Sequence, residues 1–142
     1  MIQSFRDLRV YQKGKELAVE AYRLSRKLPD EERFVLVSQL RRAATSVILN
    51  IAEGYGRKES PKDFRNFLRQ ALGSANEVQV LMDLIAELQY LPRSETGRIS
   101  SQYAELAKMI YRLAEKWKDQ RPKPLGENGH AKPAGERREV PK

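Results

Sequence analysis

The chain has 142 residues, which is enough for one domain with a single hydrophobic core. Apolar residues make up 40 % of it and the longest unbroken apolar run is Phe34–Val37, a composition that argues against a membrane or secreted protein. Lys and Arg outnumber Asp and Glu by 27 to 19, there is no cysteine, and His130 is the single histidine. Thiolate chemistry is therefore excluded and imidazole chemistry has almost no basis. We expect a basic, cytoplasmic binding protein.

Hydrophobic spacing predicts two helices in the first part of the chain. Apolar residues recur at three- and four-residue steps from Leu8 to Leu28, and Pro29 is expected to end this helix. A possible capping box, Ser4 with Asp7, precedes it. A second apolar stripe runs from Val37 to Ile51, with Gly54 at the position expected for a C-cap glycine.

Two further helices are predicted in the second part. Ser60-Pro61 supplies an N-cap and a proline at the first helical position, and an apolar face then continues to Leu88. A fourth helix is expected to open near Ser94, and its apolar residues up to Trp117 follow a heptad pattern.

Short connections between four long helices favour antiparallel neighbours. The predicted fold class is therefore all-α, an up-down-up-down four-helix bundle over residues 1–120. Residues 121–142 have a different composition, with four of the seven prolines and six Lys or Arg against three Glu. This segment is expected to be a disordered basic tail.

No catalytic constellation, metal-ligand cluster or cofactor motif stands out. Gly54-Tyr55-Gly56-Arg57-Lys58 lacks the third glycine of a dinucleotide fingerprint and follows a helix. It fits either a flexible turn between helices or a basic loop that runs into the N-terminus of the third helix, where free backbone N–H groups favour binding of a phosphate. Glu53 and Glu77 lie among small or apolar residues and are the candidates for acid–base work. We predict a protein that is not an enzyme and has no cofactor.

A polar line on the second helix and a small-residue pair on the third are candidates for contacts between helices or subunits. The polar line has two interpretations, solvent exposure or contact with a neighbour. Glycine costs up to about 1 kcal/mol relative to alanine inside a helix, so Gly73 suggests a close approach, within the bundle or between subunits. The candidate oligomer-interface residues are Gln39, Arg42, Ser46, Asn50, Glu53, Gly73, Ser74 and Glu77.

An up-down bundle would gather positive charge at one end. Residues 1–15, 50–69 and 108–120 would meet there, and they carry thirteen Lys or Arg against six Asp or Glu, a net charge of +7. Such an end could follow a phosphate backbone, or it could be a solvated basic face that keeps the protein soluble. Trp117 could stack on a base, although its place in the heptad pattern favours core packing. The candidate nucleic-acid-binding residues are Arg6, Arg9, Lys13, Arg57, Lys58, Lys62, Arg65, Arg69, Lys108, Arg112, Lys116 and Lys118.

Several stretches of the chain resemble one protein family in order and spacing. These are Phe5–Lys13, Ser38–Ser46, Asn50–Gly54, Phe67-Leu68, and Gly73-Ser74 with Glu77. The chain resembles the four-helix-bundle proteins encoded in intervening sequences of bacterial 23S ribosomal RNA genes. It departs from the usual family pattern at Tyr11, where tryptophan is usual, at Phe34-Val35, where Tyr-Gly is usual, and in its longer tail.

The resemblance implies a small cytosolic bundle that assembles as a homopentamer and has no established enzymatic activity. A distant relative is the accessory variability protein of diversity-generating retroelements, a basic pentamer that binds a reverse transcriptase and nucleic acid. Transfer of that role is an analogy of fold. Five basic ends on one face of a pentamer would carry about +35 before the tails, which would favour binding of a polyanion.

Two functions remain in competition. The preferred hypothesis is a non-catalytic, homo-oligomeric scaffold that binds RNA or DNA through the basic end of the bundle. The alternative is a protein-interaction adaptor whose basic face docks an acidic partner. Binding to bare RNA or DNA is expected only for the first.

Overall fold

The computed structural model of the protein describes residues 1–118, and in that range it contains four long α-helices and no strand. They are α1 (Arg9–Ser25), α2 (Ser38–Gly56), α3 (Pro61–Glu87) and α4 (Arg93–Lys118). Short helical turns at Phe5–Asp7, Asp30–Glu32 and Arg33–Val37 precede α1 and α2. The predicted all-α class is confirmed. The predicted tail lies outside the described residues.

Side-chain caps fix the starts of two helical segments. Ser60 Oγ accepts a hydrogen bond from the Asp63 backbone N–H at 3.2 Å and caps α3 as predicted. The Ser4–Asp7 capping box also forms, but it closes the turn Phe5–Asp7, and α1 begins only at Arg9. Backbone N–H groups of Gln3 and Ser4 donate to the Asp7 carboxylate and lower its pKa.

The apolar side chains of all four helices form one hydrophobic core where each helix packs against its neighbours. α3 packs against α2 and α4, and α1 packs against the same two helices. Two polar contacts give the relative direction of α1 and α4: Lys13 Nζ donates to Gln102 at 2.8 Å, and Arg98 Nη1 lies 2.8 Å from Glu20 Oε1. The later residue of α1 thus contacts the earlier residue of α4, so these two helices run in opposite directions.

Gly54 is a close-packing residue, which corrects the prediction that it caps α2. The helix continues to Gly56 and its C-cap is Arg57. A Cβ atom on Gly54 would lie 2.8 Å from the Cβ of Phe67, a distance that real side chains do not tolerate. Only a glycine therefore lets α2 approach α3 this closely at their shared end.

Gly73 shows the opposite situation. It is exposed in mid-helix, and a Cβ placed on it would meet nothing within 4 Å in the described part of the chain. Of the two interpretations of Gly73, close packing within the bundle is therefore not what the structure shows, and a contact between subunits stays a prediction.

None of the helices in residues 1–118 combines the length and the apolar character that crossing a membrane would require.

Candidate nucleic-acid interface

A groove of about 710 Å³ lies where four separate parts of the chain meet. The start of α1 contributes Leu8–Val10, and the end of α2 with the following turn contributes Tyr55 and Lys58. Phe64 comes from the first turns of α3, and the last turns of α4 contribute several residues between Met109 and Trp117. These are the parts that the sequence predicted to gather positive charge.

The lining of this groove has one sign of charge. None of its twelve residues is Asp or Glu. Four are Lys or Arg, namely Arg9, Lys58, Arg112 and Lys116. The other lining residues are apolar or aromatic: Ile2, Leu8, Val10, Tyr55, Phe64, Met109, Leu113 and Trp117. An apolar floor with a cationic rim suits a ligand that combines a flat or apolar body with negative charge.

Three aromatic rings in this lining form one edge-to-face cluster. The Phe64 ring lies 4.8 Å from that of Trp117 and 6.3 Å from that of Tyr55, centroid to centroid, with interplanar angles of 76° and 82°. Trp117 and Tyr55 are half-buried. Trp117 packs on the core residue Phe64, as the core interpretation predicts, and it also lines the groove. Stacking of Trp117 on a base stays a prediction.

Most of the predicted nucleic-acid-binding side chains are solvent-exposed. Two of them are held in ion pairs within the chain, Arg57 with Glu53 at 3.0 Å and Lys118 with Glu115 at 3.1 Å. Lys13 is half-buried and bonded to Gln102. The exposed predicted cations for which residues 1–118 show no ion pair are Arg6, Arg9, Lys58, Lys62, Arg69, Lys108, Arg112 and Lys116.

Arg65 is the exception, and the structure corrects its assignment to the exposed basic row. Its side chain is buried, with 8 % of the residue accessible, and its Nε and Nη1 atoms have no hydrogen-bond partner in the described part of the chain. Residues advance about 100° per step around a helix, so Arg65 lies roughly 60° from Lys62 toward the buried stripe that begins at Phe64. Lys62 and Arg69 stay on the solvent side.

Part of the predicted polar line is used inside the chain. Ser46 Oγ and Ser74 Oγ are 2.8 Å apart and join α2 to α3, and Asn50 Nδ2 donates to Ser46 Oγ at 3.1 Å. Ser46 and Ser74 therefore make a contact between neighbouring helices, whereas Asn50 bonds within α2. Gln39 and Arg42 are exposed at the start of the same line.

The two carboxylates considered for acid–base work do not form a pair. Glu53 is exposed and bonded to Arg57, at the end of α2 that approaches Phe67. Glu77 is exposed and lies beyond Ser74, which contacts Ser46. At about 1.5 Å per helical residue, the two lie about 15 Å apart along the helix pair. No acidic or histidine cluster that could hold a metal ion occurs in residues 1–118.

Sequence reasoning found the positive charge of this region but missed its apolar floor. Leu8, Tyr55 and Met109 sit on different elements, and each looks like an ordinary core residue in its own helix. The one signal in the sequence, Trp117 between Lys116 and Lys118 within the apolar spacing of α4, was interpreted as favouring core packing.

Comparison with known proteins identifies relatives of the same architecture. A family model described as "23S rRNA-intervening sequence protein" matches residues 6–112. A solved protein of unknown function from the S23 ribosomal protein family of Bacteroides thetaiotaomicron VPI-5482 is 31 % identical, with a TM-score of 0.68. The alignment covers 75 % of this chain and 98 % of that one.

No curated protein matches the chain. Neither the description of the family nor that of the solved relative names a catalytic activity. The family match extends over most of the described helices, from the turn before α1 to the last turns of α4. The chain belongs to the 23S rRNA-intervening sequence protein family.

Proposed function

We propose that this protein is a cytoplasmic, non-catalytic nucleic-acid-binding scaffold that acts as a homo-oligomer. Its ligand would be RNA or DNA, held through phosphate contacts at the basic end of an up-down-up-down bundle. A role beside a reverse transcriptase, as in the retroelement accessory proteins, would be an analogy of fold.

The observation that carries this proposal is the groove whose charged residues are all cations. Arg9, Lys58, Arg112 and Lys116 come from three parts of the chain that are distant in sequence, and no acidic residue among the twelve that line the groove offsets them. Like charges brought together repel one another, so their clustering is unfavourable for folding alone. A polyanion would relieve that repulsion on binding.

The opposite end of the molecule has a different character. Ion pairs join Lys27 to Glu95, Arg93 to Glu87 and Arg98 to Glu20. Residues 16–49 and 70–107, which make up the rest of the four helices and their connections, carry eight Lys or Arg against ten Asp or Glu. This difference in net charge supports an electrostatic polarity along the bundle.

Self-association is the second part of the proposal. The outer side of α3 carries Val80 and Leu84, which are 62 % and 42 % exposed, and Leu88 at the C-cap of this helix is 46 % exposed. They lie at four-residue steps and continue the exposed positions Gly73 and Glu77. A row of exposed large apolar residues favours a protein contact. We place the subunit interface here, with Gln39 and Arg42 at its edge, and the number of subunits implied by the resemblance is five.

The test is fluorescence anisotropy of labelled RNA and of duplex DNA, titrated with the protein at several salt concentrations. We expect an affinity that falls by about a thousandfold or more from 50 to 200 mM salt, as six or more phosphate contacts would require. Replacing Lys58, Lys62 and Arg69 by Gln should weaken binding and lower the log–log salt slope by about one for each phosphate that the variant no longer neutralises.

The matched control removes the same charge far from the groove. Arg23, Arg26 and Arg33 are exposed, and Arg23 lies 14 residues beyond Arg9, which is about 21 Å along α1. Their replacement by Gln should leave the salt slope nearly unchanged. Absence of binding at low salt, by folded wild-type protein, would contradict the proposal and favour the adaptor that docks an acidic protein.

A further inference from the structure

We infer that the groove binds unpaired nucleotides, so that the protein prefers single-stranded RNA or DNA to a duplex; this rests on the proposed function and names its ligand. A binding site for phosphates alone needs only exposed cations. This groove adds an aromatic floor below the cations, and an aromatic floor offers nothing to a duplex whose bases are already stacked.

The Tyr55 ring lies directly beside one of the cations of the groove. Lys58 Nζ sits over one face of that ring, 4.4 Å from its centroid, in a cation–π contact. A base that stacked on this face would displace the Lys58 ammonium, which could then pair with the phosphate of the same nucleotide. The buried ring of Phe64 packs edge-to-face against both Tyr55 and Trp117.

The size and the charge of the groove fit a nucleotide better than the other available occupants. Its volume of about 710 Å³ lies within the range of about 300–1,000 Å³ that small-ligand sites occupy. Residues 121–142 of the same chain carry a net charge of +3, so the cationic rim would repel them. A second copy docking through the same groove would bring two cationic rims together.

Trp117 provides a local reporter because it is the single tryptophan of the chain. We would titrate the full-length wild-type protein with a short single-stranded RNA and, separately, with the same RNA annealed to its complement. The expected result is tighter binding of the single strand and a change in Trp117 emission that the duplex does not produce. This measurement needs no variant and does not depend on how a substitution affects folding.

A pair of tyrosine variants then tests the stacking contact. Tyr55→Leu keeps apolar bulk but removes the ring, and we expect single-strand affinity to fall by about fivefold or more while duplex affinity stays within twofold of wild type. Tyr111→Leu is the control, because Tyr111 is 57 % exposed on α4 and does not line the groove. It should bind both RNAs as the wild type does.

The possible outcomes separate this inference from the proposed function. Equal affinity for single strand and duplex, with Trp117 emission unchanged, would overturn the inference and leave polyanion binding in place. Failure of both RNAs to bind at low salt would overturn both. If an acidic amphipathic peptide changed Trp117 emission and neither RNA bound, the groove would be a protein-docking site and the inference would be wrong.

Discussion

Tyr103 is the bulkiest fully buried side chain of the described bundle, and its hydroxyl has no hydrogen-bond partner there. Burial away from water disfavours the phenolate, and it raises the pKa of Tyr103. The neutral hydroxyl still bears the cost of leaving water, because an unsatisfied buried polar group costs about 1–3 kcal/mol. The ring of Tyr103 therefore stabilises the core, and its oxygen opposes that contribution.

Tyr103→Phe should accordingly stabilise the protein, which is unusual for a change in a core. The variant keeps the ring and removes the unpaired oxygen, so we expect the free energy of unfolding to rise by about 1 kcal/mol. Urea denaturation followed by circular dichroism measures this value. A decrease of about 1 kcal/mol or more would show that the hydroxyl has a partner, and Tyr103→Leu, which also removes the ring, serves as the destabilised comparison.

Two glycines within helices have opposite roles, and alanine distinguishes them. In α2, a Cβ on Gly54 would press on Phe67 at 2.8 Å and on Phe64 at 3.0 Å, so Gly54→Ala should cost about 1–3 kcal/mol of folding free energy. In α3, Gly73→Ala meets open space and improves helix propensity, so it should gain up to about 1 kcal/mol. Thermal denaturation of the two variants, at a protein concentration low enough to keep the chains apart, makes the comparison.

The helices were predictable from the sequence because their apolar spacing and caps are local signals. Ser60 caps α3 as expected, since an N-cap and a proline at the next position depend on few neighbours. The roles of Gly54 and Arg65 were not predictable in this way. Apolar spacing indicates which side of a helix is covered, but it does not specify how far around the helix a neighbour extends or how closely that neighbour approaches. The burial of Arg65 depends on the first and the contact at Gly54 on the second. The apolar floor of the groove was not predictable for the same reason, because residues from four separate segments form it.

For the whole molecule, the proposed self-association and the proposed nucleic-acid binding would be linked by the position of their two surfaces. The apolar row of Val80 and Leu84 lies on α3 well away from Lys58 and Phe64, which belong to the groove end. Assembly through that row would therefore leave the groove of every subunit open. Several grooves in one particle would raise the affinity for a long RNA far more than for a short one.

Val80→Glu tests this link, because it puts a charge into the proposed interface at a side chain that is 62 % exposed and contributes little to the fold. In sedimentation equilibrium we expect the wild type at a multiple of the 16.4 kDa chain mass, five for a pentamer, and the variant at the mass of one chain. Val19→Glu is the matched control: Val19 is 44 % exposed on α1, and its variant should remain assembled.

The same variant should separate avidity from the groove's own affinity. A short RNA that reaches one groove should bind Val80→Glu as it binds the wild type, whereas the affinity for a long RNA should fall at least tenfold, since linked sites raise avidity by about 10²–10⁴. A wild type that sediments as a single chain at all concentrations would remove self-association from the proposal. An assembled Val80→Glu would move the interface to another face of the bundle.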